Sequence, residues 1–429
     1  MKSTRTTLSA ALIACGAMHG MAQAQDTPEF KFSGFGTVAA VHSNDKNSDF
    51  VGSIYQPNGA GHNSPWSLNP DTRLGVQGTA TFNESFSGVV QIVSQHQYDN
   101  TFNPHVEWAN IKYQATPEFS LRLGRIAAPS YLLSESRFVG YASPWVRAPQ
   151  EVYSQLSITS NDGLDATYRT QLGGANHAFQ VYGGRSSVDL PNGNKFKSKL
   201  SWGLNDTAEI GSLSLRAGYN SLKLDVDFPG LVPILTGLDG LAAFARTVPL
   251  PPYQALAQQL TSASSKYGLK GVTISAFALG ANYDPGNWFL MSEFVAFKGA
   301  GFLSNSHSWY ASGGYRLGEW TPYLAYSTSV AKVQHNQIDT TGVDPQTAGA
   351  AQGLSGFVNL VLDAFASTQH TSSIGVRWDA MKNLAVKAQY DSVNIGSSSD
   401  GRFVRPVPAL PTPPSKHPKL FTVAVDFVF

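Results

Sequence analysis

Apolar and polar residues alternate one by one in segment after segment of this chain, and nowhere after residue 24 is there an uninterrupted apolar run long enough for a helical span, which needs roughly 18 residues. Leu74, Val76, Gly78, Ala80 and Phe82 alternate with Arg73, Gln77, Thr79 and Thr81. Ala109, Ile111 and Tyr113 alternate with Trp108, Asn110 and Lys112. The same holds around Leu164–Arg169, Leu213–Asn220, Phe277–Asp284, Ile374–Asp379 and Leu384–Asp391. A period of two places successive side chains on opposite faces of a strand. Each segment therefore has one greasy and one wet face. A soluble sandwich would turn the greasy face inward, and a membrane barrel would turn it outward to lipid.

Three features choose the barrel. The connections fall into short and long. Short ones include 83–85, 116–118, 172–176, 285–287, 318–319 and 380–383; long ones include 43–71, 222–270, 328–370 and 394–418. Membrane barrels have short turns on the periplasmic side and long loops outside. Strands running into the short turns end in an aromatic of lipid-facing parity: Phe82, Tyr113, Tyr168, Tyr283, Tyr315 and Trp378. Such rings suit the headgroup region. The segment Leu200–Leu204 departs from this pattern. Finally, the chain closes on KLFTVAVDFVF, with Phe421, Val423, Val425, Phe427 and Phe429 on one face. A closed barrel satisfies every backbone group without an edge. The expected fold is all-β, a transmembrane antiparallel up-and-down β-barrel of about 16 strands. They lie near 30–42, 72–82, 86–97, 105–115, 119–126, 163–170, 177–184, 199–208, 212–221, 272–284, 288–297, 309–317, 320–327, 371–379, 384–393 and 419–429. That strand number leaves a water-filled lumen.

Residues 1–24 read as a secretory leader: Lys2 and Arg5, an apolar stretch from Leu8 to Ala17, then Ala22-Gln23-Ala24 for cleavage. The barrel would occupy 25–429. A competing reading takes Leu12–Cys15 as a lipoprotein box with Cys15 lipidated. Cys15 is the single cysteine, so cleavage after Ala24 leaves no disulfide, thiolate metal site or cysteine nucleophile. Lys and Arg number 30 against 29 Asp and Glu, and removal of the leader leaves 28 against 29. Nothing in that balance points to nucleic acid. G-x-S-x-G, G-x-x-x-x-G-K and H-E-x-x-H are absent, and Gly34-Phe35-Gly36 sits in a strand with no helix after it. The histidines are scattered. The reading is of a non-enzyme with no cofactor and no metal.

The opening FKFSGFGTV, the strand VEWANIKY, the segment FSLRLGRI, the returning strand NDGLDATYR and the terminal Phe429 resemble the Gram-negative trimeric porin family over essentially the whole mature chain. The resemblance implies a general diffusion channel for ions and small hydrophilic solutes. It implies a homotrimer in outer-membrane lipid and lipopolysaccharide, delivered by the barrel assembly machinery through Phe429. It further implies that the loop after the fifth strand, 127–161, folds into the barrel as a constriction. Glu135 and Glu151 are its candidate acidic side. Arg137 and Arg147 in the same loop depart from the family pattern, in which loop carboxylates face basic wall residues. Its aromatics are Tyr131, Phe138, Tyr141, Trp145 and Tyr153.

Parity supplies the wall. Arg73, Lys112, Arg122, Arg169, Arg216, Arg316, Arg377 and Lys387 fall on the lumen side, because a lipid-facing Arg or Lys at mid-bilayer costs about 2–4 kcal/mol. Strict alternation points Arg125 outward, whereas the resemblance implies a lumen-facing residue, with Gly124 permitting a bulge. The acidic wall candidates are Asp165, Asp284, Glu293, Asp379 and Asp391. This wall is more basic than acidic, which predicts weak anion preference. A substrate-selective channel for a sugar, phosphate or organic acid is the alternative, slightly favoured by the aromatic-rich loop. A barrel with an adhesive or structural surface role is the third reading. Segments within 222–270 and 354–365 have helical spacing and read as external lids or trimer cover.

Overall fold

The computed structural model describes residues 27–155, 158–397, 399–405 and 415–429. The predicted leader and Cys15 lie outside them. The long strands are β1 (Glu29–Ser43), β2 (Arg73–Thr81), β3 (Phe86–Gln95), β4 (His105–Gln114), β5 (Phe119–Ala127), β6 (Ser160–Leu172), β7 (Ala175–Asp189) and β8 (Lys195–Ile210). They continue as β9 (Leu213–Asp227), β10 (Val272–Tyr283), β11 (Trp288–Lys298), β12 (Asn305–Tyr315), β13 (Trp320–Lys332), β14 (Gln369–Met381), β15 (Leu384–Ile395) and β16 (Lys419–Val428). Each pairs antiparallel with its sequence neighbours, and β1 pairs with both β2 and β16, so the sixteen close into one barrel. The short turns are built from residues that accept positive φ. Gly173 and Gly174, at +58° and +84°, join β6 to β7, and Asn383 at +66° joins β14 to β15.

Closure is made by backbone and by rings. Gly34 N donates to Phe429 O at 2.8 Å and Phe429 N to Gly34 O at 3.0 Å. On the outer face the Phe429 ring covers Gly34 and the Phe427 ring covers Gly36, each where a Cβ would sit. On the inner face Phe35 covers Gly75 of β2 in the same way. The alternation of glycine and phenylalanine in FSGFG is thus a packing device across the seam.

The outward rows are apolar and bare: Leu123, Leu324 and Ile374 are all exposed. An apolar belt all round a closed barrel demands lipid. No described helix is long and apolar enough to cross a membrane, so the strands do the crossing. The girdle rings Phe82, Tyr113, Tyr168, Tyr283 and Tyr315 point outward, and Trp378 stacks on Trp320 at 5.3 Å. β8 explains the exception noted above. Leu200, Trp202 and Leu204 form its outward row higher up, Trp202 lies against Tyr219 of β9, and Ile210 rather than an aromatic reaches the turn. Just above, the belt ends in charge. Lys199 pairs with Asp225 at 2.7 Å, Lys197 with Asp227 at 3.8 Å and Lys195 with Asp189 at 2.6 Å. Strands β7–β9, 15 or 16 residues long, therefore extend beyond the roughly 9–11 residues that cross a bilayer.

The long connections carry α1 (Gln150–Tyr153), α2 (Val232–Thr247), α3 (Pro251–Lys266) and α4 (Pro345–Phe365). The last three have one apolar face each, and those faces meet. Leu238, Ala242, Leu256, Leu260, Val358 and Leu362 are buried in one cluster over the loop side of the barrel. The helical spacing read from sequence is present, and both predicted segments contribute to one cap. Asp344 starts α4 by accepting from Gln346 N and Thr347 N at 2.9 and 3.1 Å, and takes a third bond from Tyr253 OH of α3 at 2.6 Å. These bonds hold its carboxyl well below the usual range. Asp344→Ala removes an N-cap and a helix-to-helix tie together. It is expected to make the α3–α4 region the first site of limited proteolysis, with the barrel intact; unchanged cleavage would refute the tie.

Candidate pore and constriction

The inward loop, described over 128–155 and 158–159, occupies the lumen, and most of the charges near it hold it there. Arg147 is the main clamp. Its guanidinium reaches Asp71 at 2.6 Å, Asp391 of β15 at 2.8 Å and Thr422 of β16 at 2.6 Å, over the Phe50 ring at 4.9 Å. Arg147 and its two carboxylate partners are buried. Burial opposes the charge, but the two carboxylates more than offset it and leave the guanidinium pKa above its ordinary value. Lys387 is the second clamp. Its ammonium pairs with Asp426 at 2.8 Å and donates to the carbonyls of Gly140, Ser143 and Trp145 at 2.7–2.8 Å. A buried ammonium is tolerable only with such full coordination. Arg377 adds bonds to Tyr141 O and Ser143 O, and pairs with Asp379 at 2.7 Å on its own strand.

The two ends of the loop are fastened by carboxylates. Glu293 of β11 accepts from Leu132 N at 2.7 Å, Tyr310 OH at 3.1 Å and Tyr153 OH. Burial and that carboxylate push the Tyr153 phenol well above its ordinary pKa, which keeps it a donor. Glu151, in α1, accepts from Ser327 at 2.6 Å, Gln369 at 2.6 Å and Thr371 at 2.5 Å. Trp145 is buried and donates to Ser312 at 2.7 Å. Arg216 donates to Pro129 O at 2.7 Å and to Thr207 at 2.8 Å.

What remains faces the opposite wall. Glu135 is 61% exposed and meets Arg122 at 3.2 Å; Arg122 also grips the buried Asp165 at 2.6 Å. Lys112 of β4 sits directly across from Arg122 in the β4–β5 register, and Arg169 is exposed lower on β6. Arg137 lies over Phe138 at 5.6 Å, and Arg73 donates to Arg137 O at 3.5 Å. Below the loop opens a cavity of about 400 Å³ lined by Gln77, Gln91, Trp108, Glu135, Ser136 and Val139. This open space adjoins the walls of β1–β4.

Several sequence expectations need correction. Glu151 was expected on the acidic side of the constriction, but it is buried against β13 and β14, leaving Glu135 as the exposed loop carboxylate of the two. Arg147, Arg377, Lys387, Glu293 and Asp391 are spent on fastening the loop. Arg316 and Asp284 lie just past the ends of β12 and β10 and pair with each other at 2.7 Å at the periplasmic rim. Arg125 stays in the register of Ala109, opposite Asp162, and pairs with that carboxylate at 2.6 Å. Gly124 adopts a φ of +127° without adding a residue to the ladder. Sequence reasoning missed Asp71, Asp162 and Asp426. Asp426 was within reach, since its parity in the last strand is opposite to that of Phe427. Among the described residues no cluster of His, Cys, Asp and Glu could hold a metal ion.

No protein-family model matches this chain, and no curated protein sequence does. Solved structures do match. OmpF of Salmonella typhi, in complex with daunomycin, superposes with a TM-score of 0.54 at 13% identity, covering 94% of this chain and 98% of that one. The outer-membrane channel DcaP of Acinetobacter baumannii gives 0.53 at 12%, covering 96% and 100%. The anion-selective porin of Comamonas acidovorans gives 0.51 at 13%, covering 94% and 100%.

The fold is that of the outer-membrane porins. Identity this low carries the architecture and leaves the chemistry of the lumen to this chain's own residues. Within the porin fold, the loop after β5 is the inward one here.

Proposed function

We propose that this chain forms a water-filled channel in the outer membrane for passive diffusion of small hydrophilic solutes, with a preference for anions. The observation that carries this reading is the uneven spending of lumen charge. Arg147, Arg377 and Lys387 are consumed in anchoring the loop, while on the open side Lys112 and Arg169 enter no ion pair among the described residues and Arg122 is shared between Asp165 and the exposed loop carboxylate Glu135. Fixed charges lining a narrow passage select counter-ions and raise their local concentration. A trimer in lipid and lipopolysaccharide, assembled through Phe429, is part of the same proposal; the apolar belt and the seam rings are compatible with it.

Reconstituted protein in a planar bilayer under a salt gradient is expected to give a reversal potential on the anion side. Lys112→Glu is expected to move it to the cation side. Strong cation selectivity of the unaltered protein would overturn the charge argument, and an unheated gel showing only monomer would overturn the trimer.

A further inference from the structure

Above the inward loop the lumen changes character. Leu222 and Leu224 of β9, Ile274 of β10 and Phe297 of β11 continue the rows that carry Asn220, Ala276 and Val295, so they face inward although they are apolar. Leu222, Leu224 and Ile274 are nearly fully buried. Together with Phe228 and Phe365, near the base of the helical cap, they line a cavity of about 400 Å³. Leu222, Leu224 and Ile274 pack with Tyr131, Val152 and Tyr153 of the inward loop, with Phe297 at the edge of that cluster, so the wall above the loop is apolar on its inner side. The size lies in the range of about 300–1,000 Å³ common for small-molecule sites, which pair apolar walls with a few placed polar groups.

Two donors on its wall have no acceptor. Arg402, in the loop between β15 and β16, is the only charged residue among the described residues lining the cavity, and its Nε has no hydrogen-bond partner. It makes no ion pair among the described residues. Burial holds its pKa down to about 10, although the Glu151 and Tyr131 charges pull upward. Glu151 itself is already engaged by Ser327, Gln369 and Thr371. Ser367, also on the cavity wall, is 8% exposed and its hydroxyl has no partner either. Arg402 Nε and Ser367 Oγ are two open donors on a wall where Gln150, Gln155 and Ser306 are already bonded, and an anionic acceptor carried on a greasy body would satisfy them.

We propose that this vestibule cavity is a binding site for an amphipathic organic carboxylate, an aromatic or compact aliphatic acid. Arg402 and Ser367 receive the carboxylate, and Leu222, Leu224, Ile274 and Phe297 receive the apolar part. The proposal deepens the channel reading and rests on it, by giving the pore a solute class to capture before the constriction.

The test uses single-channel recording in potassium chloride, with benzoate added on the loop side. Each variant's interruptions are scored against its own open current. Benzoate is expected to interrupt the current in a saturable manner, while benzamide, which lacks the charge, and acetate, which lacks the apolar body, do so at least tenfold more weakly. Arg402→Gln and Ser367→Ala should each weaken the benzoate effect, Arg402→Gln by tenfold or more, and Arg402→Lys should recover part of it. Leu224→Asn should weaken benzoate while leaving the response to acetate as it was. Equal interruption by benzamide, or an unchanged benzoate response in Arg402→Gln, would overturn the site. A protein that gives no current in potassium chloride before any benzoate is added would instead overturn the channel reading, so the two failures are separable.

Discussion

Arg147→Met is expected to lower stability by about 3–5 kcal/mol, the cost of removing one partner from a buried ionic cluster, and to raise single-channel conductance. The substitution keeps a long apolar stem over Phe50 but leaves Asp71 and Asp391 buried with no cation between them. Among the described residues no other cation pairs with both. Arg73 reaches Asp71 only at 3.9 Å, and Lys387 is committed to Asp426. Relief is available by letting the inward loop move and admitting water, which opens the passage. Urea unfolding and conductance should therefore shift together. Adding Asp71→Asn and Asp391→Asn to Arg147→Met removes the stranded charges and should recover most of the lost stability. A single variant within about 0.5 kcal/mol of the unaltered protein, the range of an unremarkable surface change, would show that the clamp is not one.

Gly36→Val is expected to disrupt barrel closure. The added Cβ would stand where the Phe427 ring lies, and β1 cannot retreat, because its Gly36 is paired to Phe427 on one side and to Leu74 on the other. Overpacking of this kind costs about 1–3 kcal/mol. Its position at the seam should add slow or incomplete folding, read as a loss of the heat-modifiable form on gels. The decisive comparison is a cycle with Phe427→Ala. If the ring is what Gly36 accommodates, valine should be much less harmful once the ring is gone. Equal damage in both backgrounds would assign the effect to β1 alone.

Much of the barrel was legible because strand parity is a local property. An Arg at the wrong parity would meet hydrocarbon, so Arg122, Lys112 and Lys387 had to point inward whatever surrounded them. The short turns were legible for a similar reason, since Gly173, Gly174 and Asn383 occupy backbone conformations that few other residues accept. The upper parts of β8 and β9 were not. Beyond the bilayer, Leu222, Leu224 and Val226 keep their alternation with Lys223, Asp225 and Asp227, but the apolar side has become the inner one. Periodicity cannot announce such an inversion, because it has no term for where the membrane ends.

The order of residues by itself determined a barrel of about sixteen strands, the direction of most side chains within the membrane band, the long and short connections and the terminal aromatic row, all of which depend on neighbours two to about ten positions apart. Only the tertiary structure decided the use of each charge. Glu135 and Glu151 are both acidic residues of the same loop, and one is open to the passage while the other is bound by Ser327, Gln369 and Thr371, which lie 176 to 220 positions away. Whether a lumen carboxylate selects ions or fastens a loop depends on which donors reach it across the barrel, and that distance is closed by folding and by nothing in the local sequence.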